Sequence, residues 1–126
     1  MRKRIEKIQK ELLSLPIRAK LVESENLHIT LSFLGQVSKH EINEIISKLL
    51  NVCNQFDKFE VKIGKLIPIP TQTFIRVIAF EVESQELIEL SEKIRKEIGG
   101  DVKPPHLTIC RVKFVGNKEK VLDWIK

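Results

Sequence analysis

Two short stretches carry residue types able to move protons at phosphorus. Leu27-His28-Ile29-Thr30-Leu31-Ser32 and Pro105-His106-Leu107-Thr108-Ile109-Cys110 share one pattern: apolar or Pro, His, apolar, Thr, apolar, small. Histidine has an ordinary pKa of about 6.5, so one imidazole can accept a proton while a second donates one. In-line cleavage of a phosphodiester needs such a pair, a base on the attacking oxygen and an acid on the leaving oxygen. Threonine hydroxyls two residues on can donate to the non-bridging oxygens and hold the group between the rings. The chemistry requires neither metal nor cofactor.

A strand sends alternate side chains to opposite faces. His28 and Thr30 then share one face over Ile29 and Leu31, and His106 and Thr108 share one over Leu107 and Ile109. By the same alternation Cys110 falls on the His106 face, and Arg111 on the opposite one. Arg111 reaches a phosphate through a bulge or a strand end; otherwise it is a solvated edge residue. Three readings of the histidines stand: an acid–base pair, a two-histidine metal site, or ordinary strand residues. A metal site calls for a carboxylate or thiolate on the same face, and neither motif supplies an acidic residue there. The third histidine, His40, lies in a polar helix start and reads as a solvated surface residue.

The elements that position the motifs follow from periodicity. Ile5, Ile8, Leu12 and Leu15 recur at helical spacing from residue 2 to about 14, and Pro16 stops that helix. An extended piece, Ala19 to Val22, precedes a loop at Ser24-Glu25-Asn26 and the first His/Thr strand, Leu27 to Leu34, ended by Gly35. Ser38 to Glu41 has capping-box form and opens a helix that buries Ile42, Ile45, Ile46, Leu49 and Leu50. Phe59, Val61 and Ile63 alternate with charged residues, predicting a strand over Lys58 to Leu66, with Pro68 and Pro70 in a rigid turn. Phe74 to Val82 reads as a central strand. Leu87, Leu90, Ile94 and Ile98 form a helix closed by Gly99-Gly100. After the second motif, Gly116-Asn117 opens a last helix with Val121, Leu122 and Ile125 inward. The order helix, loop, His/Thr strand, glycine, cap, helix thus occurs twice. Two strands follow it in the first copy and none in the second, so the symmetry predicts an incomplete second half.

Composition sets the class. The chain has 126 residues, 42% hydrophobic and 31% charged, which fits one globular domain with its own core. Its apolar runs are too short for a membrane span, and the charged N-terminal pattern is not a signal peptide. Cys53 and Cys110 have no ligand-like spacing and read as reduced thiols of a cytoplasmic protein. A formal net charge of +5 favours an anionic partner. Phe33, Phe74 and Phe114 are the few candidates for base stacking, and each reads first as a core residue.

Leu27 to Gly35 and Pro105 to Val112 resemble the paired HxTx signatures of the two-histidine phosphoesterases. The nearest likeness is to the RNA 2′,3′-cyclic phosphodiesterases, also called 2′-5′ RNA ligases. The Asn26-Leu27-His28 entry, the Phe33-Leu34-Gly35 exit, the Arg76-Val77-Ile78 strand and Arg111 add to it. The resemblance implies an α+β fold, two-lobed and pseudo-symmetric, of antiparallel sheets with outer helices around a central cleft. It implies one two-lobed phosphoesterase domain over 1–126, shortened at both ends and with its second lobe incomplete. The implied reaction is metal-independent opening of an RNA 2′,3′-cyclic phosphate, or a cyclic nucleotide, to a 2′-phosphate, with 2′-5′ joining in some members. Carried over, His28 donates a proton to the 3′ oxygen and His106 accepts one from water, while Thr30, Thr108 and Arg111 bind the phosphate. No membrane and no obligate protein partner are implied. The remaining readings are a non-catalytic RNA-end binder and an inactive remnant.

Overall fold

Helix α1, Arg2–Leu12, forms because Ile5, Gln9 and Leu12 recur on one stripe, and these three are its buried residues. In the computed structural model, which describes residues 2–125, four such helices accompany one open antiparallel sheet. The strands are β1 (Ile17–Leu21), β2 (Lys62–Pro70), β3 (Ile75–Glu83) and β4 (His106–Val115), in the order β1-β4-β3-β2. The other helices are α2 (Lys39–Cys53), α3 (Gln85–Ile98) and α4 (Lys118–Ile125).

The chain divides into two compact units. The first takes residues up to Ile29, Ile63–Glu81 and the chain from His106 on; the second takes Thr30–Lys62 and Val82–Pro105. In the first, one sheet face is apolar and buried through Ile78, Phe80, Leu107, Ile109 and Cys110. Gln9 fastens α1 to that sheet: its buried amide donates to the carbonyl oxygens of Val22 at 2.8 Å and Ile109 at 2.9 Å. In the second unit α2 packs on α3. Val52, Leu90 and Ile94 form the core there, with Leu31, Leu49, Phe56, Phe59 and Ile98 against it.

Four local expectations shift. The helix after Ser38 turns Val52 fully inward and Ile45 and Leu49 halfway, leaving Ile42, Ile46 and Leu50 exposed. Its cap also differs: the Ser38 hydroxyl bonds the Glu41 carboxylate at 3.0 Å, while the Glu41 amide donates to the Ser38 carbonyl. β2 starts later than the alternation suggests, because Phe59 is drawn into the α2–α3 core. It then runs through Pro68 and Pro70, which an edge strand accommodates because a ring without an N–H can face outward.

The first motif is the fourth. Leu27 to Leu34 is extended but forms no ladder of its own, making isolated bridges at Ile29 with Leu107 and at Phe33 with Asp101. The second bridge carries two backbone bonds, of 3.0 and 2.9 Å. Ser32 donates to the Gly99 carbonyl at 3.1 Å. Gly100 makes this approach possible, for its φ is +102° and a Cβ there would meet the Ser32 hydroxyl and, at 2.9 Å, Leu34.

Gln9 yields a test. Replacing it by Met keeps the volume and leaves two buried carbonyls without their donor, although Ile109 still accepts from the Val22 amide at 2.9 Å. Gln9→Met is expected to lower unfolding free energy by about 1–3 kcal/mol in urea titration.

Candidate functional site

Chain direction explains how the two motifs meet in the first unit. β1 runs antiparallel to β4, and the Val22 amide still bonds Ile109. The chain then detours through a 3-10 turn at Ser24–Asn26 and returns to the same edge of β4, where Ile29 bridges Leu107. Residues opposite each other on an antiparallel pair point to the same face, so Ile29 joins Leu107 on the buried side. Their neighbours His28, Thr108 and His106 turn to the other. His28 then stands across from Thr108 and diagonal to His106, a relation that places Cα atoms roughly 7–8 Å apart. Two rings so placed can close on a group of phosphate size.

The side chains differ in setting. His28 is exposed, while His106 and Thr108 are half-buried. The Nδ1 of His28 lies 2.6 Å from the Asn26 carbonyl oxygen. A carbonyl only accepts, so Nδ1 carries the hydrogen and Nε2 is the nitrogen left to exchange a proton. Thr30 is exposed, two residues from His28 on the chain, and belongs to the second unit.

The position of Arg111 is decided by a β-bulge. Along β3, Val77 pairs with Arg111, Ala79 with Thr108 and Glu81 with His106, the register slipping by one between Ile78 and Ala79. Val77, Ala79 and Glu81 are alternate residues on one face of β3, so their partners Arg111, Thr108 and His106 share that face. The slip inserts an extra residue in β4, and Ile109 and Cys110 are buried in succession, each with 0% exposure. Simple alternation puts Arg111 with the core and Cys110 with the histidines; the bulge exchanges them. Arg111 is exposed on the histidine face.

The register also adds a residue that neither motif contains. Glu81 lies directly across the ladder from His106, on the same face and half-buried. Gly64 makes room for it, since a Cβ at that position would sit 3.3 Å from the Glu81 Cβ. Only the β3–β4 pairing reveals this neighbour, which no spacing within one strand could. Among the described residues no three His, Cys, Asp or Glu side chains converge as metal ligands. Arg76, on the other face of β3, sits over the Phe74 ring at 5.0 Å from its centroid.

Comparisons with known proteins show the family of the chain. The family model described as LigT like Phosphoesterase matches residues 1–78. An RNA 2′,3′-cyclic phosphodiesterase of Methanocaldococcus jannaschii is 37% identical over 113 residues, covering 85% of this chain and 63% of that protein. One of Methanothermobacter thermautotrophicus is 31% identical over 132 residues, covering 99% of this chain and 72% of that protein. The chain belongs to the LigT-like phosphoesterase family. Among solved structures, TT0787 of Thermus thermophilus superposes with a TM-score of 0.83 at 19% identity, over 92% of this chain and 70% of that one. Escherichia coli LigT, solved with ATP, gives 0.56 at 22% identity, over 83% of this chain and 65% of that one. Both share its fold. No helix among the described residues is long and apolar enough to cross a membrane.

The bulge makes a checkable statement about the thiols. Burial pushes Cys110 up to about 11, partly offset by a backbone hydrogen bond at Ile78, whereas Cys53 is exposed. At pH 8 the thiolate fraction of Cys110 is on the order of 0.1%. Iodoacetamide is therefore expected to label Cys53 alone in the folded protein, and Cys110 only after denaturation, as read by peptide mass spectrometry.

Proposed function

We propose that this chain opens RNA 2′,3′-cyclic phosphate ends to 2′-phosphates with a His28–His106 acid–base pair, as one phosphoesterase domain. The observation that carries this reading is the Ile29–Leu107 bridge, which sets both imidazoles and the Thr108 hydroxyl on one face of one strand pair. The matched relatives bear the name of this activity.

In the reaction His106 takes a proton from water as its oxygen attacks phosphorus. The bond from phosphorus to the 3′ oxygen breaks, and His28 Nε2 delivers a proton to that oxygen. The hydrogen bond from His28 Nδ1 to the Asn26 carbonyl supports Nε2 in this role. Thr108, Thr30 and Arg111 hold the phosphoryl oxygens, whose negative charge grows in the transition state. Water supplies the hydroxyl that the product keeps as part of its 2′-phosphate, so protons balance across the turnover. The substrates are RNA ends or cyclic nucleotides, the setting is the cytoplasm, and the residues named need no metal.

Single substitutions test the assignment. His28→Ala and His106→Ala are each expected to lower kcat on a 2′,3′-cyclic nucleotide by about 10²- to 10⁴-fold, with turnover of the wild type unaffected by chelator. The pH profile of the wild type is bell-shaped, since one ring must be neutral and the other protonated. His106→Ala removes the limb that falls toward acid, and His28→Ala removes the limb that falls toward alkali. Pure, folded protein that leaves cyclic-phosphate RNA intact at every pH sinks the reading.

A further inference from the structure

Phe114 is 65% exposed although it lies within β4. A phenyl ring left in water on a sheet is informative only if its neighbours say what it faces, and the register names them. Along β1, Lys20 pairs with Arg111 and Arg18 with Phe114, with a second slip between Arg18 and Ala19. Arg18 and Lys20 are alternate residues, both exposed, while Ile17, Ala19 and Leu21 are half-buried. Their partners Phe114 and Arg111 therefore share their face, which is the face of His106 and Thr108. The second slip, at Lys113, brings Phe114 onto it, as the first brings Arg111.

The charges are arranged against stability. Lys20 and Arg111 are directly opposite, a pairing that like charges disfavour. Among the described residues no carboxylate lies within ion-pair distance of Arg18, Lys20 or Arg111. The acidic residues that β3 gives this face, Glu81 and Glu83, stand at the far end, Glu81 beside His106. Three uncompensated cations around an exposed ring form a surface that an anion with flat apolar faces would complete.

We propose that Phe114, flanked by Arg18, Lys20 and Arg111, is a stacking platform for a base of single-stranded RNA whose phosphates lie along the three cations. This rests on the reading that the histidine face receives an RNA end. With one residue of β4 taken up at each slip, Arg111 stands about 7 Å from Thr108 along the sheet and Phe114 about 13 Å, at about 3.3 Å per residue. The platform thus takes a nucleotide beyond the terminal one and gives preference to oligonucleotides over cyclic mononucleotides. Stacking on an aromatic ring tolerates any base, so the platform reads no sequence.

The test uses the full chain and a short fluorescent single-stranded oligoribonucleotide ending in a 2′-phosphate. Phe114→Ala is expected to weaken its binding about 5- to 150-fold, with Phe114→Trp restoring affinity and Phe114→Leu not. In Arg18→Ala/Lys20→Ala the slope of log K against log salt falls by about 1.4, two single-strand phosphates at ~0.7 each. Thermal unfolding of that double variant stays at or above the wild type, because a like-charge pair is relieved. Affinity unchanged in Phe114→Ala, equal rescue by Leu, or an unchanged salt slope overturns the platform. Turnover of a cyclic mononucleotide by the wild type reports separately on the histidine chemistry. Its absence, with RNA affinity still lost in Phe114→Ala, removes the hydrolase and leaves the platform standing.

Discussion

Strand β4 must satisfy two demands that plain alternation cannot meet together. It closes the core of its unit from one face, and it lines up His106, Thr108 and Arg111 on the other. With a period of two, Arg111 falls on the core face, where an unpaired guanidinium costs several kcal/mol. The extra residue resolves the conflict by burying Ile109 and Cys110 in succession, which turns Arg111 over to the other face. The core gains a second small apolar residue at the kink, and the polar face gains a cation. Gln9 spans this kink from the helix above, donating to the carbonyl of Ile109, the residue at the irregularity. The apolar face therefore holds the bulge in place, and the bulge aims the polar face.

The same strand explains why the first motif needs no ladder. An edge already occupied by β1 offers the returning chain a continuation of itself, and one bridge at Leu107 suffices to fix which face His28 takes. Beyond Ile29 the segment is secured differently, through Leu31 in the α2–α3 core and the paired backbone bonds of Phe33 and Asp101.

Much of this was legible in the sequence, and the exceptions have physical causes. The repeated His and Thr spacing, the helices set by Leu12 and Ile94, and the β3 run follow from local periodicity. Arg111 was legible only as an alternative, because a bulge depends on which residue of a partner strand takes each hydrogen bond. Glu81 was hidden for the same reason: its proximity to His106 is a property of pairing between strands far apart in the chain. The helix over Ile42 to Leu50 misled because its apolar residues cover more than one stripe, and composition alone does not say which stripe meets α3. Pro68 and Pro70 read as a turn until β2 is known to be an edge.

The face that carries the histidines spaces its polar residues by their distance along one strand. His106 and Thr108 lie before the first slip, beside the strand that brings His28. Arg111 lies after it, and Phe114 after the second. Each slip returns an outward residue to the working face after a stretch given to the core, so one strand of ten residues serves both the core and an extended surface. The spacing of polar contacts along the face is then set by where the bulges fall. A change of register in β4 would move His106, Thr108, Arg111 and Phe114 together, whereas substitutions on β1 act at the Arg111 and Phe114 end alone.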